Sequence, residues 1–150
     1  MKANGLYHAV LYVRDLKAST AFYGDLLGFV PIGAAFGGKA QAFRGGDHRT
    51  HHELLLIEVG DAPHPGRGRR LGLYHLGIKV GDSLDELAAA KQELEAAGVH
   101  LVGESDHTVT WSLYVLDPDG NELELYCDNP GVDWTSDPEA VMAPIKSIDW

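Results

Sequence analysis

The sequence predicts an α+β protein of two βαβββ modules in a pseudo-twofold arrangement, with the strands forming a curved mixed sheet. Three observations carry this. Leu73 to Val80 alternates from His75 onward, with Leu76, Ile78 and Val80 on one face and His75, Gly77 and Lys79 on the other; a period of two marks a strand. The same Leu-Tyr-His opening occurs at Leu6-Tyr7-His8, so the histidines at positions 8 and 75 stand 67 residues apart. A helix-like segment follows each copy and ends at a glycine, Gly28 and then Gly98. Self-similarity at a fixed offset points to one supersecondary unit used twice.

Residues 6–13 form the first strand, turned by Arg14-Asp15-Leu16. Lys17 to Leu27 places Ala18, Ala21, Phe22, Leu26 and Leu27 on one helical face, with Asp15 or Ser19 as the cap and Gly28 as the stop. Phe29 to Phe36 reads as a strand, and Pro31 sends it to a sheet edge because proline donates no ladder hydrogen bond. Gly37-Gly38 is a turn, Gln41 to Arg44 a weak strand, Gly45 to His48 a loop, and His51 to Val59 a buried strand. The Pro, Gly and Arg residues of 61–70 read as a connection between modules. In the second module Asp82-Ser83 caps a helix over 84–97 whose apolar positions include Leu84, Leu87, Ala88 and Leu94. Short strands follow at 100–102 and 109–116. Asp117-Pro118-Asp119-Gly120-Asn121 supplies a turn, and Glu122 to Tyr126 alternates strictly as the closing strand. After Asn129 the pattern is lost. That tail, with Trp134 and Trp150, is expected to wrap over the domain or to pack on a second subunit.

A chain of 150 residues is expected to form one domain over 1–150. It comprises module one at 6–60, a linker at 61–72, module two at 73–128 and the tail at 129–150. The formal net charge of −10 argues against nucleic acid and anionic membrane as partners, since both need clustered Lys and Arg. No apolar run approaches the roughly 20 residues that cross a bilayer. The residues after Met1 lack the apolar stretch of a signal peptide, so a cytoplasmic location is expected. A single cysteine, Cys127, forms no internal disulfide and suits a reducing compartment.

The chemistry follows from where the histidines fall. Packed pseudo-symmetrically, the opening strands bring His8 and His75 together. The closing strand of module two brings Glu124, on the face opposite Leu123 and Leu125, beside them. Two imidazoles and a carboxylate on one side of a divalent ion form the facial set of non-haem iron sites, which leaves positions open for substrate and oxygen. The sheet is therefore expected to curve around a metal site. Glu122, nearer the turn, is the rival carboxylate.

These residues carry a resemblance. The Tyr-His openings, the 117–126 hairpin and the paired modules resemble the vicinal oxygen chelate superfamily, which includes glyoxalase I, extradiol dioxygenases, and fosfomycin and bleomycin resistance proteins. The likeness spans about residues 6–128. It implies the glyoxalase/extradiol dioxygenase fold, with His8, His75 and Glu124 as metal ligands. Aligning the closing strands sets Glu53 with Glu122 and Leu55 with Glu124, so the second carboxylate of a glyoxalase I site is missing. His51-His52-Glu53, Ser105-Asp106-His107 ahead of Trp111 to Tyr114, and Tyr126 to Pro130 with Trp134 downstream are most similar to catechol 2,3-dioxygenase-like single-domain proteins.

That likeness implies a ring-cleaving dioxygenase acting on a catecholic or other vicinal-diol substrate with dioxygen. Fe(II), or alternatively Mn(II), would be the cofactor. His52 would be an acid/base, and Tyr114 a hydrogen-bond donor to substrate or to the oxygen-derived ligand. His107 would assist. A rim histidine at 52 and a core tyrosine at 114 are the bland alternatives. His48, His51, His64 and His100 are read as surface residues. A homodimer is expected by analogy, because the two-domain relatives carry four modules. The competing readings are another metal-dependent enzyme of the superfamily (a lyase, isomerase or thiol transferase) and a non-catalytic small-molecule-binding or resistance protein.

Overall fold

The computed structural model describes residues 1–64, 66 and 68–150. Pro65 and Arg67 of the linker lie outside the described residues. Two compact units emerge, Met1–Gly68 and Arg69–Trp150, each built in the order β-α-β-β-β. Each unit carries one four-stranded mixed sheet.

In the first unit the strands are β1 (Ala9–Val13), β2 (Val30–Ala35), β3 (Ala40–Arg44) and β4 (Leu54–Glu58), in spatial order β1-β4-β3-β2. Helix α1 (Leu16–Thr20) starts at Asp15, whose carboxylate accepts from Ala18 N at 2.9 Å. It runs on as a π-helical segment, Ala21–Leu26, and stops at Gly28 with φ +77°. Ser19, Phe22 and Tyr23 are the buried residues of this helical stretch. With Val13, Phe43, Leu54 and Leu56 they form the core of the unit. The proline places β2 at the edge, as expected, with the register slipping between Pro31 and Gly33. Two strand limits differ from the sequence reading. β1 begins at Ala9, just after His8, and β4 begins at Leu54, so His51 and His52 precede the strand instead of opening it. Glu53 explains the second limit. Its backbone already bonds Phe43 O and Ala9 N, each at 2.9 Å, while its carboxylate accepts from Gly45 N across the 45–53 loop, so the chain leaves the sheet just before it.

In the second unit the strands are β5 (His75–Gly81), β6 (Leu101–Asp106), β7 (Thr110–Leu116) and β8 (Glu122–Asp128), in order β5-β8-β7-β6. Helix α2 (Leu84–Ala96) opens on Ser83, which accepts from Glu86 N. Glu86 answers by accepting from Asp82 N at 2.7 Å and Ser83 Oγ at 2.9 Å, a reciprocal cap. Its Leu87 and Leu94 are buried, as are Leu113, Val115, Leu123, Leu125 and Cys127. The Asp117 carboxylate organises the β7–β8 turn, accepting from Asp119 N, Asn121 N and Asn121 Nδ2. β6 is longer than the predicted 100–102 because the tail pairs with its outer edge. Lys146 and Asp106 exchange two backbone bonds, of 2.8 and 2.9 Å. Trp150 Nε1 donates to Glu104 Oε2 at 2.9 Å, and Lys91 Nζ sits 4.5 Å from the centre of the Trp150 ring. Of the two expected fates of the tail, residues 146 and 150 thus follow the first. Among the described residues no helix is long and apolar enough to cross a membrane.

Gly81 closes β5 where α2 approaches the sheet. A Cβ there would lie 2.8 Å from Glu86 Cβ and 2.9 Å from Cys127 Sγ, closer than such atoms approach. Gly81→Ala is therefore expected to destabilise the protein by about 1–3 kcal/mol through overpacking, read as a lower midpoint in urea unfolding.

Candidate metal centre

In the second unit the closing strand lies parallel to the opening one. His75 is opposite Glu122 and Gly77 opposite Glu124. His75 Nε2 lies 3.1 Å from Glu124 Oε2. The other oxygen, Oε1, is already engaged. It accepts from Ser112 Oγ at 2.7 Å and Tyr114 OH at 3.2 Å. Ser112 is fully buried, and β7 places Tyr114 directly across from Glu124. His107 Nε2 stands 2.8 Å from Tyr114 OH and 3.6 Å from Glu124 Oε1. Tyr114 has one proton to give. With it donated to Glu124, the His107 contact requires a proton on Nε2. Burial first, then the charge of Glu124 and the bond to it, push the Tyr114 phenol well above its usual range. It is therefore a neutral donor at pH 7.

The rival carboxylate has a different environment. Glu122 Oε1 is 3.7 Å from His75 Nδ1, beyond a hydrogen bond. Glu122 also bonds the Tyr74 hydroxyl, which lifts the phenol above its ordinary value. His75 Nδ1 is buried without a hydrogen-bond partner among the described residues.

In the first unit His8 lies beside two other imidazoles. Its ring centre is 4.6 Å from that of His52 and 6.4 Å from that of His51, while the His51 and His52 rings are 4.4 Å apart. Burial, then charge repulsion from His51 and His8, lowers the His52 pKa. The imidazole is thereby favoured over the imidazolium at neutral pH, the form a base requires. His51, read from sequence as a surface residue, is exposed but also touches this group. The β1–β4 register sets Val10 opposite Leu55, where the second unit sets Gly77 opposite Glu124. The alignment of Leu55 with Glu124 therefore agrees with the strand pairing.

Among the described residues no three His, Cys, Asp or Glu side chains form a ready ligand group, and the sequence-derived ligands divide between units, His8 in the first and His75 with Glu124 in the second. The pair in the second unit fits a divalent ion. Donor atoms about 2.1 Å from one ion and at right angles are about 3 Å apart, close to the 3.1 Å between His75 Nε2 and Glu124 Oε2. Sequence reasoning missed the work of Ser112. Its only signal was a small hydroxyl among Trp111, Leu113 and Tyr114, two residues along from Tyr114 and so on the same face of β7.

With strands, register and side chains in place, the class can be stated. Residues 5–125 match the family model of the Glyoxalase/Bleomycin resistance protein/Dioxygenase superfamily, and the chain belongs to that superfamily. Among curated relatives, a catechol-2,3-dioxygenase of Bacillus subtilis (strain 168) is 34% identical over 133 residues, covering 88% of this chain and 44% of the relative. Biphenyl-2,3-diol 1,2-dioxygenase 2 of Rhodococcus globerulus is 34% identical over 122 residues, covering 81% and 62%. The chain thus spans only about half to three fifths of these relatives. The crystal structure of a glyoxalase/dioxygenase from Nostoc punctiforme shares the fold, with a TM-score of 0.69 and 21% identity, covering 84% of this chain and 92% of that one.

Proposed function

We propose that this protein is a metal-dependent extradiol-type dioxygenase that opens the ring of a catecholic or other vicinal-diol substrate, with Fe(II) in preference to Mn(II), held by His8, His75 and Glu124. The observation that carries the reading is the division of labour at Glu124. One carboxylate oxygen is fixed by Ser112 and Tyr114, and the other is left facing His75 Nε2 at donor spacing. The names of the relatives support the reaction class, and Leu55 disfavours the four-ligand alternative.

Held by His8, His75 and Glu124, iron(II) would supply Lewis-acid activation of the diol and a path for electrons to dioxygen. The remaining work belongs to the chain. His52, kept neutral, takes the proton that a diol hydroxyl loses on binding and can return it later. Tyr114, kept protonated, turns its one proton from Glu124 Oε1, which Ser112 still holds, to negative charge developing on oxygen. His107 holds the Tyr114 hydroxyl from its other side. Both atoms of dioxygen enter the ring-opened product, so no external reductant is required. A homodimer is proposed on family analogy.

The test is anaerobic purification, loading with Fe(II) and addition of a catechol panel in air. Oxygen uptake with a yellow product is expected, and His52→Ala should lower kcat about 10²–10⁴-fold, the usual contribution of a positioned acid/base. A protein with a full equivalent of iron that consumes no oxygen with any catechol would overturn the reading.

A further inference from the structure

The corner that carries His107 is gripped more tightly than a chain reversal needs. It joins β6 to β7 through His107, Thr108 and Val109. Thr108 has φ +71°, a left-handed conformation that β-branched residues rarely adopt. A loop serving only to reverse the chain would place Gly or Asn there. Instead, other parts of the unit hold a threonine in it.

Every backbone polar group from Asp106 to Val109 is engaged. Asp106 exchanges both its bonds with Lys146 of the tail, at 2.8 and 2.9 Å. His107 N donates to Thr110 O at 2.9 Å, and His107 O accepts from Val109 N at 2.8 Å. Thr108 N donates to Asp106 Oδ1 at 2.6 Å. Thr108 O accepts from Asn129 Nδ2 at 2.9 Å, and Val109 O accepts from Asn129 N at 2.8 Å. His107 therefore sits between two grips, the Asp106 side chain before it and Asn129 after it. Its imidazole lies 2.8 Å from Tyr114 OH, one bond from Glu124. Strain that persists because its surroundings over-determine it is a pointer to function.

We propose that Asn129 and Asp106 are positioning residues, holding the Thr108 corner so that His107 presents Nε2–H to Tyr114. The proposal rests on the dioxygenase reading only for the purpose His107 serves.

The test uses the full chain in both metal-free and iron-loaded forms. Long-range ¹H–¹⁵N imidazole spectra at fixed pH, without metal, should show His107 as a single tautomer protonated on Nε2. Asn129→Ala and Asp106→Ala should move it to the averaged shifts of a free imidazole, leaving exposed His48 and His100 unchanged. Thr108→Gly accepts the positive φ and keeps both backbone bonds, so it should retain the wild-type His107 signal. In the iron-loaded enzyme the alanine variants should lose about tenfold in kcat at near-constant KM. Asn129→Asp keeps the shape and loses the donor, and should reproduce the spectral change if either alanine variant fails to fold. An unaltered His107 signal in the variants that fold would overturn the proposal, as would equal disturbance by Thr108→Gly. Absence of oxygen uptake by the wild-type protein would instead count against the reaction and leave the spectral result standing.

Discussion

Glu124→Ala is expected to strip the protein of its divalent metal and abolish oxygen uptake. The substitution removes the only charged ligand of the proposed set. Losing a residue that merely bonds to a ligand already costs about 10–100-fold in metal affinity, so the loss here should exceed about 100-fold. Metal content after dialysis and competition with a chelator of known affinity would measure it. Ser112→Ala belongs to the milder class, because it frees Glu124 Oε1 from a 2.7 Å bond without removing the carboxylate. Glu124→Gln keeps the shape and guards against a folding artefact, with the amide a poorer ligand than the carboxylate. Retention of a full equivalent at unchanged affinity by both Glu124 variants would remove Glu124 from the site.

Leu113→Ala should produce the largest loss of stability. Leu113 is fully buried, on a strand flanked on both sides, opposite Leu125 on β8 and Glu104 on β6. Neighbours locked into two ladders cannot collapse into the void. The cost should therefore fall in the range of about 2–5 kcal/mol found for buried leucine-to-alanine changes, a large share of the roughly 5–15 kcal/mol that stabilises a domain. A thermal melt followed by circular dichroism should drop by roughly 5–20 °C. A midpoint within a degree or two of wild type would show that β7 is not the centre of this core.

Much of the architecture was legible because it is written in local chemistry. Asp15 and Ser83 cap their helices as side-chain acceptors should. Gly28 and Gly98 end the helical stretches with positive φ, and Pro31 marks the edge strand. The alternation of Glu122 to Tyr126 foretold a strand that buries Leu123 and Leu125 and turns Glu124 to the other face. The misses have long-range causes. β6 holds Gly103, Glu104 and Ser105, poor strand formers, and extends because β7 and Lys146 pair with it from either side. His51 and His52 adjoin a leucine-rich run and so read as its beginning, yet the backbone enters the sheet only at Glu53, whose side chain meanwhile bonds Gly45 N across the loop. The partnership of Ser112 with Glu124 depends on the β7–β8 register, which no local pattern encodes.

The aliphatic residue opposite Val10 has an electrical consequence under the proposed ligand set. Two neutral imidazoles and one carboxylate would leave a dication with a single uncompensated positive charge, which a diol that has given up one proton would cancel. A second acid at Leu55, the counterpart of Glu124 in strand register, would neutralise the centre before any ligand arrived and make a monoanion surplus. With that ligand set, leucine at position 55 would leave the remaining charge for an anionic partner to cancel.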